Sequence, residues 1–260
     1  MTDSRSQQPD SLPIRRVNIK PLAEAIYRPP SGDPEIIHED EHFVIVDKPS
    51  GLLTVPGIAP EKKDCLRSRV QEMYPLATGP MTCHRLDQST SGVMILTLDA
   101  DTHRNLSRQF EQRKVQKRYI ALLDGHLKSD EGTIHCPMRK DMDVRPLMLV
   151  DFVQGKPSTT HYKVLAREEL HSKPVTRIEF VPHTGRTHQL RVHAAHPLIA
   201  TVGELGMNDP EETMGLGMPI VGDELYSQDN TNRLMLHASM LTIYHPINGK
   251  QMTFNAPIPF

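Results

Sequence analysis

The chain has 260 residues, 37% of them hydrophobic, and a formal net charge of −2. That length can bury a sizeable core as one large domain or two small ones. There is no run of 18 or more apolar residues, which excludes a membrane-spanning helix, and a pI near 6.7 argues against a generic polyanion binder.

Residues 1–34 are rich in Ser, Gln, Pro and charge and close on Pro29-Pro30 and Pro34, which predicts an extended or disordered arm. The first residues, Met1 to Asp10, are polar, with no apolar stretch after a basic start. No secretory signal is read there, and the cytoplasm is the expected compartment. Ordered sequence is expected from Glu35-Ile36-Ile37, followed by a strand at Phe43-Val44-Ile45-Val46 and a turn at Lys48-Pro49-Ser50-Gly51. Cys65, Cys83 and Cys136 are odd in number and widely spaced, fitting neither a disulfide framework nor a C-x-x-C metal pair.

The most informative stretch runs from Cys83 to Gly92. One carboxylate, Asp87, sits between the basic pair His84-Arg85 and the turn-prone Ser89-Thr90-Ser91-Gly92. Apolar Val93 to Leu98 follows as a buried strand, so Asp87 is expected on the loop feeding it, held in place yet reachable. Asp101 is predicted to cap a helix running to about Gln112, with Leu106 and Phe110 inward and the arginines outward. Arg104, Arg108, Arg113, Lys114, Lys117 and Arg118 fall within fifteen residues, opposed only by Glu111. This local basic stripe survives the near-neutral average; a solvated helix face is the plainer alternative. Further strands are predicted at Tyr119–Leu123, Thr160–Leu165 and Thr176–Val181, and an acidic, Gly-containing insertion at about 197–215. The pattern is strand-dominated α+β, without the regular strand-helix alternation of a doubly wound sheet.

The run His84-Arg85-Leu86-Asp87-x-x-Thr90-Ser91-Gly92 resembles the signature of the RluA-type pseudouridine synthases at all seven fixed positions of nine. Four other blocks are similar to that family: Ile45–Gly57, with Asp47 where Asn is more usual; Lys117–Ala121; Gly185–His193, reading Gly-Arg-Thr-His-Gln-Leu-Arg-Val-His; and Leu216–Tyr226, containing Pro-Ile-Val-Gly-Asp. The likeness covers roughly residues 35–260, which are expected to form one catalytic domain. It implies a mixed, largely antiparallel central sheet with flanking helices and loops. There is no room ahead of residue 35 for the S4-type RNA-binding domain many relatives carry, so the chain looks most like the RluA branch. That branch acts on a large-subunit rRNA hairpin and a tRNA anticodon stem-loop.

The resemblance implies RNA as partner, a monomer, no cofactor and no metal. Converting uridine to pseudouridine breaks an N-glycosidic bond and makes a C–C bond, which calls for a nucleophilic or ion-pairing carboxylate. Asp87 supplies it. A carboxylate with the ordinary Asp pKa of about 3.9 is ionised at neutral pH with no activating base. By resemblance, Arg191 pairs with Asp87, and Tyr119 stacks on the flipped uracil and can share in proton removal from C5. Arg85 enters the space the base vacates, and Leu190 packs on the far side of the ring. His84, Lys48 and Arg186 complete the substrate side, His84 as a neighbour and not a general base. His183, His188, His193 and His196 invite a metal reading, but five-residue spacing on a helix turns side chains by about 140° relative to one another, and no carboxylates cluster beside them. A non-catalytic RNA-binding protein on the same scaffold, and a phosphoester hydrolase using Asp87 with Mg²⁺, are the competing readings.

Overall fold

Apolar residues set the strands and the turns between them set the order. A computed structural model describes residues 26–196, 212–213, 215–228, 231 and 233–260. Its elements are β1 (Glu35–Glu39), β2 (Phe43–Lys48), α1 (Leu66–Met73), β3 (Ser91–Thr97), α2 (Ala100–Glu111), β4 (Gln116–Asp124), β5 (Glu131–His135), β6 (Met138–Lys140), β7 (Met148–Val150), β8 (Thr159–Leu170), β9 (Lys173–Pro182), α3 (Gln189–Ala195), β10 (Glu212–Thr213), β11 (Leu236–Tyr244) and β12 (Gln251–Asn255). One sheet runs β1-β2-β3-β11-β4-β9-β8-β5-β10, with β12 also on β11, and β6-β7 form a separate ribbon. Among the described residues, only β3–β11 and β5–β10 pair in parallel. The expected α+β class with a mixed, largely antiparallel sheet is what is found.

Strands β2 and β3 are apolar almost without alternation because both faces of the sheet are covered there. Phe43, Val44, Ile45, Val46, Met94, Ile95 and Leu96 are all fully buried. They belong to a core shared with α1 and α2, while a second core gathers β4, β9, α3 and the segment after residue 215. Tyr119 of β4 packs against both. The seam between the cores is therefore where β3, β11 and β4 lie side by side.

Gly92 makes that seam possible. Its φ is +121°, a conformation open only to glycine, and a Cβ there would lie 2.2 Å from the Ala238 carbonyl oxygen. Ala238 on β11 is the register partner of both Gly92 on one side and Tyr119 on the other. Two strand spacings then put Tyr119 roughly 10 Å from the end of the Asp87 loop. A register shift in β11 between Ala238 and Met240 falls at this same point, as bulges often do beside sites.

Two boundaries differ from expectation. The helix α2 is capped by Asp99, whose carboxylate accepts from the backbone N–H of Asp101 at 2.9 Å and of Thr102 at 2.8 Å; Asp101 lies in the first turn and pairs with Arg104 at 2.6 Å. A side chain must precede the first turn to reach its free N–H groups, and Asp99 alone does so. The arm, predicted to run to residue 34, is fastened earlier. Tyr27 is 7% exposed, donates to the Asp64 carbonyl at 2.9 Å and accepts from Leu53 N–H at 3.1 Å. Residues 1–25 and nearly all of the predicted 197–215 insertion lie outside the described residues.

The rings of His84, His193 and His237 are held in neutral form. His84 accepts from Ile95 N–H through Nε2 and stacks on Phe110, His193 meets Ser158 Oγ at 2.9 Å, and His237 meets Ser91 Oγ at 2.9 Å. Burial pushes their pKa values down to about 3, 3 and 4. Because the folded values lie below the ordinary 6.5, the unfolded chain binds more protons between about pH 4 and 6.5, so stability is full above that window and falls as pH drops through it. Thermal unfolding across pH 7.5 to 4.5 is expected to show Tm dropping steeply, with about three protons taken up by these histidines on unfolding near pH 5.

Candidate active site

Asp87 sits on a loop whose backbone is tied down residue by residue. The Leu86 carbonyl accepts from Thr54 Oγ1 at 2.7 Å, the Gln88 carbonyl from Gly51 N–H at 2.8 Å and Lys48 Nζ at 3.1 Å, and the Ser89 carbonyl from Ser50 Oγ at 2.7 Å. These four anchors all come from the segment Lys48–Thr54, so that block acts as a clamp for the loop carrying Asp87. The Asp87 side chain remains 23% exposed, free to meet a ligand from a fixed backbone.

Lys48 was placed on the substrate side by its motif, and the structure corrects this. It is fully buried, and Nζ donates to three carbonyls, Pro49 at 2.9 Å, Leu52 at 2.6 Å and Gln88 at 3.1 Å, which matches the three protons of an ammonium. Burial pushes its pKa down to about 7, while the Asp87 and Asp47 charges work the other way. Lys48→Met removes a donor from three carbonyls, of which Gln88 keeps Gly51 N–H, at a cost of about 1–3 kcal/mol for each acceptor left dry. The expected result is a lowered Tm together with a turnover loss of at least about tenfold, read by thermal unfolding and by initial rates.

Helix α3 forms the opposite wall. Arg191, 2% exposed, forks onto Asp223 with Nε–Oδ2 at 2.8 Å and Nη2–Oδ1 at 2.5 Å, and lies 3.2 Å from Glu224. Asp223 also accepts from the backbone N–H of Leu225 and Tyr226. Burial opposes the charge on Arg191, but Asp223, Glu224 and Asp87 together hold its pKa above the ordinary arginine value. This corrects the expected direct pair: among the described residues the carboxylates within 4.0 Å of Arg191 are Asp223 and Glu224, and Asp87 feels it through space. Glu224 closes the circuit by accepting from Ser89 Oγ at 2.7 Å, joining the Asp87 loop to the α3 wall.

Between these walls lies a cleft of about 820 Å³ lined by Asp87, Tyr119, Arg85, Arg186, Leu190 and Arg191, among others. The expected cluster is therefore brought together, apart from Lys48. Arg85 is exposed in the cleft and makes no hydrogen bond or ion pair among the described residues. Arg113, Lys117 and Arg118 extend the lining toward α2, so the basic stripe divides: this end faces the cleft while Arg104 is spent on Asp101. Burial, reinforced by the Asp87 charge, pushes the Tyr119 phenol far up, so it stays protonated. It can stack or donate, and it is no base in the free protein. Burial pushes the pKa of Cys83, the one thiol in the lining, up to about 12, which disfavours the thiolate. His84 borders the cleft, but its Nε2 is spent on the backbone of β3.

Three residues had no role assigned from the sequence although their motifs were noted: His188, Asp223 and Tyr226. His188 Nε2 is 3.9 Å from Asp87 Oδ1, and Nδ1 is 2.8 Å from Tyr226 Oη. The separation in sequence, 101 positions from Asp87 to His188, hides this meeting. The histidine series does not assemble a metal site: no group of three or more His, Cys, Asp or Glu suited to a metal occurs among the described residues.

Residues 42–196 match the family model described as RNA pseudouridylate synthase. The chain is similar to two bacterial proteins named dual-specificity RNA pseudouridine synthase RluA. That of Pasteurella multocida is 40% identical, covering 92% of this chain and all of the relative; that of Escherichia coli K12 is 40% identical, covering 86% and 93%. Among solved structures, human RNA Pseudouridylate Synthase Domain Containing 1 aligns with a TM-score of 0.69 and 30% identity over 90% of this chain and 87% of that one.

Proposed function

The chain belongs to the RNA pseudouridylate synthase family, and from that premise we propose that Asp87 is the nucleophile with which it isomerises uridines in both a large-subunit rRNA hairpin and a tRNA stem-loop. The observation that carries this reading is the placement of Asp87. It is an accessible carboxylate on a rigidly anchored backbone, facing Tyr119 across a cleft whose only other lining carboxylate among the described residues, Glu111, lies at the far end of α2. The two relatives' names speak of dual specificity, which supports two RNA targets.

The reaction balances without a co-reactant. The N1–C1′ bond breaks, a C5–C1′ bond forms, the C5 proton leaves and N1 gains one. Asp87 adds to the substrate while the base is released and turned, and departs as a carboxylate when the new bond is made. Arg191, itself locked on Asp223, supplies the positive field that keeps a carboxylate ionised when RNA shuts out water. The flipped uracil stacks on Tyr119 with Leu190 behind it, an arrangement worth about 1–3 kcal/mol per base. The unpaired Arg85 enters the gap in the RNA stack, where a planar, permanently charged group replaces a base best. Arg186, Lys117 and Arg118 take phosphates along the rim. The proposed unit is a single catalytic domain from residue 35, with cytoplasmic RNA as its target.

Tritium release from C5-labelled uracil, measured on tRNA and large-subunit rRNA transcripts, tests this. Release from both RNAs is the expected result. Release from one alone would limit the assignment to that RNA, and release from neither, under conditions where both bind, would overturn it.

A further inference from the structure

The cleft contains a second nitrogen group facing Asp87, on a residue whose backbone is in an unusual state. His188 precedes α3 with φ +53° and ψ +19°, a left-handed conformation uncommon for any residue but glycine. Strained backbone of this kind persists only where the surroundings hold it, and it gathers at sites of function. The conformation turns the imidazole inward: it is 9% exposed, with Nε2 3.9 Å from Asp87 Oδ1 and Nδ1 2.8 Å from Tyr226 Oη.

The protons on this ring follow from its neighbours. Tyr226 Oη accepts from Met148 N–H at 2.9 Å, which leaves its own proton to donate, and His188 Nδ1 is the partner in reach. Burial keeps the phenol protonated. Nδ1 is then an acceptor, so the neutral ring must carry its proton on Nε2, the atom that faces Asp87. Burial and the neighbouring Arg191 hold the ring neutral, against the carboxylates Asp87, Asp223 and Glu224. The series Met148 N–H, Tyr226 O–H, His188 Nε2–H thus points at the Asp87 carboxylate, 3.9 Å away.

We propose that His188 is the positioning residue of Asp87. Fixed as its Nε2–H tautomer by Tyr226, it gives a directed hydrogen bond to Oδ1 and leaves Oδ2 free to attack. At 3.9 Å the bond is open, and a shift of about 1 Å as the cleft closes on RNA brings it to ordinary length. A neutral donor orients the carboxylate without adding a second full cation beside it, so nucleophilicity is retained. This inference rests on Asp87 being the nucleophile.

The test has one arm that needs no RNA. In the full chain labelled with ¹⁵N in histidine, the His188 ring is identified as the signal missing from His188→Gln. Its shifts should report protonated Nε2 and bare Nδ1 at pH 7.5, with a mixture of tautomers in Tyr226→Phe and a moved Nε2 proton signal in Asp87→Ala. The second arm reads kcat and KM by tritium release. His188→Asn accepts the left-handed backbone but is too short to reach Asp87, so kcat should fall at least 30-fold with KM within about twofold. His188→Gln, whose amide N–H extends to about where Nε2 stood, should recover a good part of that loss. A proton on Nδ1, or an unchanged kcat in a folded His188→Asn protein, overturns the proposal; so does an equal kcat loss in the Asn and Gln variants with KM raised in both. A wild type that turns over neither RNA defeats the reading of Asp87 and its substrates, while the ring signals still decide the tautomer.

Discussion

Asp87→Ala and Asp87→Asn are expected to lose turnover by at least about 10⁴-fold while RNA affinity stays within a few-fold of wild type. In the proposed mechanism the carboxylate makes a covalent bond during the reaction and little of the contact with the RNA, which falls to Arg85, Arg186, Lys117 and Arg118 around the cleft. An interaction realised only along the reaction path appears in kcat and not in binding. The fold should be untouched, since the anchors of this loop engage the backbone carbonyls of Leu86, Gln88 and Ser89 and not the Asp87 side chain. Single-turnover tritium release beside a filter-binding titration measures both quantities. A variant that keeps more than a few per cent of the rate would sink the assignment.

Arg191→Met is expected to be costly in a different way. Asp223 is fully buried, and Arg191 supplies two of its hydrogen bonds. Removing one partner of a buried pair leaves the other charge without compensation, a loss of about 3–5 kcal/mol. For a domain of this size that lowers Tm by on the order of 10 °C. Turnover falls too, because the positive field at Asp87 disappears with the guanidinium. Arg191→Lys keeps the charge and loses the fork, so it should fall between wild type and Met in both Tm and rate. Double replacement, Arg191→Met with Asp223→Leu, should regain stability without activity, which separates the structural role from the chemical one. A full return of activity in the double variant would refute the role given to Arg191.

The apolar run Val93 to Leu98 after the nine-residue motif His84 to Gly92 placed Asp87 on the loop before a strand, and the strand is there as β3. Local chemistry suffices for this: a polar turn followed by continuous apolar residues has few other solutions. The strand β11 was not read at all, although it is the strand that joins β3 to β4. Its residues, Leu236 to Tyr244, mix apolar and polar side chains without a clean period. The reason appears only in three dimensions, where its polar members are used one by one: His237 on Ser91 Oγ, Thr242 on Thr253 Oγ1, Ser239 on the Arg118 carbonyl.

The site divides the same way. The resemblance of the motifs to the family was enough to name Asp87, Tyr119, Arg85, Arg186, Leu190 and Arg191 as members of one cluster, and the cleft contains all of them. Partners could not be named, because a hydrogen bond depends on where two side chains end and not on where they stand in the chain. Lys48 is a residue type that binds phosphate when exposed, and here it is buried under three carbonyls. Arg191 can neutralise any carboxylate, and the fold gives it Asp223.

By itself the sequence determined the family and the α+β class and singled out Asp87 as the carboxylate proposed to react, because these rest on short-range patterns that no packing alters. Tertiary structure alone decided which block clamps the Asp87 loop, which acid holds Arg191, and that His188, 101 residues away, turns toward Asp87 from a left-handed backbone. Those outcomes depend on two cores meeting along β3, β11 and β4, and pairings made across such a seam carry no signature in the order of residues.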